Sequence, residues 1–257
     1  GGPPAWVIGT YDPELDLLYW TTGNPAPDWN GDARLGDNLF SDSVLAINPD
    51  TGERVWYYQF TPHDVWDYDG NSHLFQADLE ENGQTIKALV QANRNGFFYA
   101  INRTNGEFIR ATSYMEQLNW ADSMEPNGRP VVNPDAMPNE EPTFRVCPGI
   151  FGGMNGSVSA SLNPELGLAF IPVIESCQLM QKGISIYVEG QNFFGGLPIP
   201  VDLEPDEEGE WPAYGHISAV DYSTGDIAWR YYDPQPMMAG TLSTAGGLIF
   251  TGSQTGH

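Results

Sequence analysis

The densest chemistry in the chain lies between Thr61 and Gly70, where Asp64, Asp67 and Asp69 are interleaved with Trp66 and Tyr68 and closed by Gly70. In an extended segment neighbouring side chains alternate, so Asp67 and Asp69 are expected to face one way and Trp66 and Tyr68 the other. Two carboxylates held that close repel each other unless a proton, an arginine or a multivalent cation stands between them. Taken alone, the same residues also read as a solvated acidic turn. What decides between a turn and a site is the chain on either side, and the elements that would hold these side chains.

Those elements read as strands. A chain of 257 residues with Gly 29, Pro 21 and 12% aromatics, and few helix-period runs, implies many short strands joined by tight turns, an all-β fold. Its size suffices to bury a core as one large domain or two ordinary ones. Acidic residues number 34 against 10 basic, a net charge of −24, which argues against a nucleic-acid or anionic-membrane surface and favours a cation or a basic protein partner. No apolar run approaches the roughly 20 residues that span a bilayer. No leader pattern opens the chain, which says little about export. Cys147 and Cys177, the two cysteines, read from spacing alone as a disulfide or as two buried thiols.

Repeats organise the rest. Ala46-Ile47-Asn48-Pro49-Asp50-Thr51-Gly52-Glu53-Arg54-Val55-Trp56 recurs from Ala100 to Ile109 and from Ala219 to Trp229. Each copy reads as strand, turn and strand: the Asn or Asp bonds its own turn, the Gly supplies a positive φ, and the closing aromatic packs sideways on the next unit. A second element, Tyr11 to Tyr19, recurs from Leu162 to Phe170, and a third copy starts at Gly246. Opening strands placed near Leu17, Lys87, Leu168 and Gly246 predict about four blades, the last unfinished. Two insertions, around Tyr114 to Thr143 and around Gln181 to Trp211, are expected to decorate them. The second carries Asp202, Glu204, Asp206, Glu207, Glu208 and Glu210, a solvated acidic loop.

The spacing Ala-x-Asn/Asp-x-x-Thr-Gly-x-x-x-Trp resembles the tryptophan-docking motif of the quinoprotein alcohol dehydrogenases, eight-bladed propellers that use pyrroloquinoline quinone (PQQ). Gly23-Asn24-Pro25-Ala26-Pro27, with Trp29-Asn30 and Gly36-Asp37-Asn38, is similar to the family segment whose Asn gives an oxygen to the active-site metal. Thr61 to Asp67 is similar to the segment of the catalytic Asp, and Asn93-Arg94-Asn95-Gly96 to the one whose basic residue reaches the quinone carbonyls. Trp6 stands where the family places the indole that lies flat on the quinone, and Asn155 where an Asn lies near it. The chain departs from the pattern at Pro3-Pro4-Ala5, Met154, Gly156 and Met238, changes that cluster around the expected cofactor. The family's metal-binding Glu and vicinal cysteine pair have no counterpart, so the chain resembles roughly the second half of a propeller, residues 1–257 forming a single partial domain.

The resemblance implies a PQQ-dependent oxidation of primary alcohols to aldehydes by hydride transfer, with Asp67 as base, Asn24, Asp67 and Asp69 on the metal, and Trp6, Arg94 and Asn155 on the quinone. Such chemistry needs a base for the hydroxyl proton, a Lewis acid for the receiving carbonyl and a cation for the charge that builds there. An amide oxygen with carboxylates makes an all-oxygen shell, which suits a hard cation and not zinc or copper. Asp69 resembles the lanthanide-dependent branch, which carries a second Asp two residues after the base; the calcium-dependent branch, with Ca²⁺, usually has a small uncharged residue there. The resemblance further implies a periplasmic enzyme that passes electrons to a cytochrome c, a Cys147–Cys177 disulfide, and leaves room for a homodimer. Two rivals stand against it. A non-catalytic propeller scaffold uses the same turn module but has no need of converging polar groups. A glycoside hydrolase needs two acids roughly 5 Å or more apart across a cleft, which residues two apart on one strand do not readily supply.

Overall fold

Each repeated module folds as the hairpin its residues call for. Asn48 Oδ1 accepts the N–H groups of Asp50 and Thr51 at 2.9 and 3.0 Å. Asn102 does the same for Thr104 at 2.9 Å and Asp221 for Ser223 at 2.8 Å. Gly52, Gly106 and Gly225 then take φ of 73°, 77° and 84°, a left-handed conformation that a Cβ would strain. All three hairpins slip register just before the turn, at Ala46/Ile47, Ala100/Ile101 and Ala219/Val220.

A computed structural model of the chain describes residues 2–81, 83–200, 213–254 and 256. Strands β1 (Thr10–Asp12), β2 (Leu17–Thr21), β3 (Ser43–Ile47) and β4 (Arg54–Gln59) form one antiparallel sheet in chain order. Strands β5 (Phe75–Glu81), β6 (Gln84–Ala92), β7 (Phe97–Asn102) and β8 (Phe108–Ser113) form the second. After a hairpin of β9 (Ala121–Met124) and β10 (Pro130–Val132), the third sheet uses β11 (Ser161–Asn163), β12 (Leu168–Glu175), β15 (Tyr214–Asp221) and β16 (Ile227–Asp233). Between β12 and β15 a second hairpin intervenes, β13 (Gln178–Lys182) with β14 (Gly196–Pro200). Strands β17 (Leu242–Ser243) and β18 (Ile249–Phe250) begin a further sheet. The all-β propeller architecture of about four blades, the last of them partial, is therefore present.

Two expectations need amending. The strands near Leu17, Lys87, Leu168 and Gly246 come second in their sheets, behind β1, β5, β11 and β17. Three of those first strands have two or three residues, too few to show a period-2 pattern. The insertions are also not bare loops, since each holds a hairpin. The acidic run from Asp202 to Glu210 lies outside the described residues.

Neighbouring sheets are joined by side chains of the modules. A Cβ on Gly106 would meet Trp56 Cε3 at 2.7 Å, so the indole of the first sheet lies on the turn of the second. Arg110 takes the equivalent position in the second sheet, pairing with Glu81 and donating to the Tyr222 carbonyl of the third at 3.0 Å. Trp229 of the third sheet packs on Phe170 and, 41% exposed, lines an open apolar cavity with Leu248 and Phe250.

An ion cluster built on a buried Arg103–Asp12 pair also ties the first two sheets together. Arg103 reaches Asp12 at 2.7 Å, Glu14 at 3.2 Å and Asp78 at 3.3 Å. Burial pushes the Asp12 carboxyl up, but the N–H groups of Glu14 and Leu15 and the Arg103 guanidinium outweigh it and hold its pKa below the ordinary value. A folded pKa below the unfolded one contributes stability above the unfolded pKa, lost as pH falls through the folded value. Arg103→Leu, which leaves buried Asp12 its N–H donors but not its counterion, is expected to cost about 3–5 kcal/mol and to shrink Asp12's share of the acid limb, as read by denaturant unfolding of the full-length protein at several pH values.

Candidate active site

The chain from Thr61 to Gly70 winds around one carboxylate. Asp64 Oδ1 accepts from the Trp66 N–H at 2.8 Å, and its Oδ2 from the N–H groups of Tyr68 at 2.8 Å and Asp69 at 3.4 Å. The segment is therefore not extended: Asp67 and Asp69 sit at φ 64° and 60°, conformations that Asp tolerates better than most residues. The sidedness read from alternation survives by this different route. Trp66 and Tyr68 are buried and stacked at 5.7 Å, with Trp120 5.1 Å from each. Their polar ends reach the carbonyls of Ala136 at 2.7 Å and Pro148 at 2.9 Å. Pro148 follows Cys147, which is disulfide-bonded to Cys177 across a Cα separation of 4.4 Å, as the resemblance implied. Closing that loop contributes about 3–4 kcal/mol in the chain-entropy model.

On the other side Asp69 gathers the remaining polar groups. Its Oδ1 accepts from the Asn24 N–H at 3.0 Å, and its Oδ2 pairs with Arg94 Nη1 at 3.3 Å. Arg94, in the turn between β6 and β7, also donates to the Ile150 carbonyl, while its Nε is buried without a partner. Gly23 allows this approach, because a Cβ there would lie 2.3 Å from Asp69 Oδ1.

Trp6 is 47% exposed. Its ring edge lies over Gly156, where a Cβ would meet Trp6 Cη2 at 2.8 Å and the Asn71 carbonyl at 2.1 Å. Asn155, the preceding residue, uses Oδ1 to accept from the N–H and hydroxyl of Ser157 at 3.0 and 2.8 Å, closing its own turn. The Asn24 N–H and the Arg94 guanidinium thus meet on the Asp69 carboxylate, with Asp67 in the field of Arg94 and Asp69, and the Trp6 ring edge lies over Gly156, next in the chain to Asn155. Met154 does not join them; it is fully buried in the core shared by the second and third sheets, so this departure from the family pattern bears on packing.

Buried carboxyls here outnumber the neighbouring cations. Burial pushes Asp67 up to about 8; Arg94 opposes the shift, and Asp69, Asp64 and Asp28 add to it. Asp69 is likewise raised, by burial first, against Arg94 and the Asn24 N–H. Sequence reasoning missed Asp28, pushed up to about 7 by burial and the Asp64 charge, and Asp42, fully buried and raised well above its ordinary value by burial and Asp64. Asp28 was within reach, four residues beyond Asn24 in one loop. Asp42 gave no signal, since only the fold brings it to Asp64. Arg34 holds this side together, donating to the carbonyls of Asp64 at 2.5 Å and Asp28 at 3.1 Å. Among the described residues no three His, Cys, Asp or Glu side chains are grouped to hold an ion by themselves.

Blades joined by an indole on a glycine at one joint and an arginine at the next, with a backbone amide, carboxylates and a guanidinium brought together between them, define a β-propeller of the quinoprotein class. Residues 1–116 match the family described as glucose/ethanol/alcohol dehydrogenase, beta-propeller domain. The whole chain is 38% identical to the quinoprotein alcohol dehydrogenase PedH of Pseudomonas putida, covering 43% of it, and 35% identical to the lanthanide-dependent methanol dehydrogenase of Methylacidiphilum fumariolicum, covering 41%. A europium-containing methanol dehydrogenase superposes with a TM-score of 0.87 at 32% identity, over 98% of this chain and 43% of that one. The chain belongs to the quinoprotein alcohol dehydrogenase family and spans about two fifths of the length of the curated relatives it matches.

Asp64, counted at first only as a third carboxylate, is the residue that shapes the site. Asp64→Ala leaves the N–H groups of Trp66 and Tyr68 buried without an acceptor. The expected loss is about 2–3 kcal/mol in denaturant unfolding of the full-length protein. Asp64→Asn, which keeps one acceptor oxygen, is expected to lose less.

Proposed function

We propose that this chain supplies part of the active site of a PQQ-dependent alcohol dehydrogenase that oxidises primary alcohols to aldehydes, with residues 1–257 belonging to one propeller domain. The observation that carries the reading is the joining of the Asn24 N–H and Arg94 through the Asp69 carboxylate, beside Asp67, whose carboxyl burial pushes up to about 8. A scaffold gains nothing from buried carboxyls in excess of their cations, whose desolvation is costly.

The residues suit both implied groups. Oxygen donors from Asn24, Asp67 and Asp69 match a hard cation, and raised carboxyls are what such a cation would return to the ionised state. Trp6 would form the floor for the planar quinone, Arg94 with its unpartnered Nε would face the quinone oxygens, and Asn155 would contact its edge. When bound, the quinone accepts the electrons of the alcohol and the cation polarises the receiving carbonyl. Asp67, ionised beside the cation, would take the hydroxyl proton at its carboxylate, while Asp69 holds Asn24 and Arg94 in register with it. Burial of Trp66 and Tyr68 behind the turn keeps water from that side.

The second carboxylate favours a trivalent ion, which compensates one more anion than Ca²⁺ does. The full-length apoprotein reconstituted with PQQ is expected to be active with La³⁺, and Asp69→Ala to lose at least about tenfold in La³⁺ affinity. Full activity with Ca²⁺ and none with La³⁺ would reject the lanthanide reading.

A periplasmic cytochrome c is the proposed acceptor, in line with the quinohemoprotein alcohol dehydrogenases among the relatives. At a net charge of −24, association with a basic cytochrome is expected to slow as ionic strength rises and the screening length falls to about 8 Å at 0.15 M. Stopped-flow rates that do not change with salt would exclude electrostatic steering and leave the dehydrogenase reading standing.

A further inference from the structure

Tyr114 sits just past β8, fully buried, and its hydroxyl does two things at once. It donates to the Asn93 carbonyl at 2.6 Å and accepts from the Met154 N–H at 2.8 Å. One oxygen therefore ties the residue before Arg94 to the residue before Asn155, which belong to different sheets' connections and are separated by some sixty positions in the chain. Burial pushes the phenol pKa up, so the hydroxyl stays protonated and keeps both roles.

The tyrosine itself is anchored from behind. Its N–H donates to the Gly96 carbonyl at 3.2 Å, and its own carbonyl accepts from Ser218 Oγ at 3.1 Å and Arg230 Nη2 at 3.4 Å. Ser218 in turn contacts His216 Nδ1 at 3.1 Å, and His216 Nε2 lies 2.9 Å from Glu175 Oε1. Glu175 accepts the N–H groups of Glu116 and Gln117 at 2.7 and 3.0 Å, pinning the two residues that follow Met115. Glu175, His216 and Ser218 are all fully buried, so this chain of bonds is shielded from water.

The joint has no slack on its other face. Gly153 takes φ 71° while its N–H donates to the Ile174 carbonyl at 2.9 Å, and a Cβ there would lie 2.4 Å from the Arg94 carbonyl. The two segments thus touch backbone to backbone beside the tyrosine hydroxyl. Functional groups on separate segments need placement within about 0.5 Å to act together, and here one phenol oxygen sets that spacing.

We infer that Tyr114 is a positioning residue for the cofactor site, fixing the Arg94 turn against the segment that carries Asn155. The inference rests on the reading of Arg94 and Asn155 as quinone contacts. Tyr114→Phe keeps the ring and removes the oxygen. In the full-length apoprotein, PQQ titration followed by tryptophan fluorescence is expected to show affinity reduced by about 10–100-fold, the range seen when a supporting partner of a bound group is lost. Thermal unfolding of the variant reports that it is folded.

A merely structural role and a positioning role separate in a double-mutant cycle. If Tyr114 acts through Arg94 and Asn155, the loss from Tyr114→Phe shrinks at least threefold in an Arg94→Ala or Asn155→Ala background. Additive losses in both backgrounds, or wild-type affinity in Tyr114→Phe alone, overturn the inference. Wild-type PQQ affinity in both Arg94→Ala and Asn155→Ala instead rejects the site reading beneath it. Should Tyr114→Phe not fold, Gly153→Ala presses on the same joint from the Arg94 carbonyl, and unchanged PQQ affinity in that variant overturns the inference as well.

Discussion

The site depends on the burial of one hydrogen-bonded carboxyl group. Asp64 can remain in the interior only because backbone N–H groups of Trp66, Tyr68 and Asp69 converge on its carboxylate. That convergence bends the chain into left-handed conformations at Asp67 and Asp69, sends two aromatic rings into the core and turns two further carboxyls toward Asn24 and Arg94. A buried carboxylate without those donors would cost several kcal/mol or take up a proton. The turn and the charge therefore stabilise each other: the loop geometry exists to solvate Asp64, and Asp64 defines the loop geometry.

Around this turn buried carboxyls outnumber the neighbouring cations. Arg94 pairs with the Asp69 carboxylate and Arg34 lies in the field of Asp64, Asp42 and Asp28, while neither Asp42 oxygen is bonded to a donor. Burial first, and the neighbouring carboxylates after it, raise the carboxyls of Asp28, Asp42, Asp67 and Asp69. The cost is carried by the scaffold, whose joints are made of unlike materials. The first and second sheets meet through an indole on a glycine and a buried arginine cluster, the second and third through Arg110 and Thr112 reaching backbone carbonyls.

Much of the fold was legible in the chain. The Asn/Asp-x-x-Thr-Gly turns announce themselves because side-chain caps and positive-φ glycines are local demands, satisfied within a few residues. The segments that carry Asn24, Asp69 and Arg94 were legible through their resemblance to the quinoprotein motifs, and the structure brings the three residues together. The first strand of each sheet escaped, being two or three residues long in most cases, and so did the hairpins in both insertions, whose pairing is between strands with no shared motif.

By itself, then, the sequence determined the repeat, the hairpin turns, the sign of the charge and the residue types at the site, all properties of short stretches. Tertiary structure alone decided that Asp64 is the centre of its turn, that Asp42 joins the buried acids, that Met154 packs in the core, and that the Tyr114 hydroxyl bridges Asn93 to Met154. The physical reason is common to all four. Desolvation and hydrogen-bond satisfaction depend on which atoms surround a group, and those atoms come from strands and loops brought together only when the sheets stack.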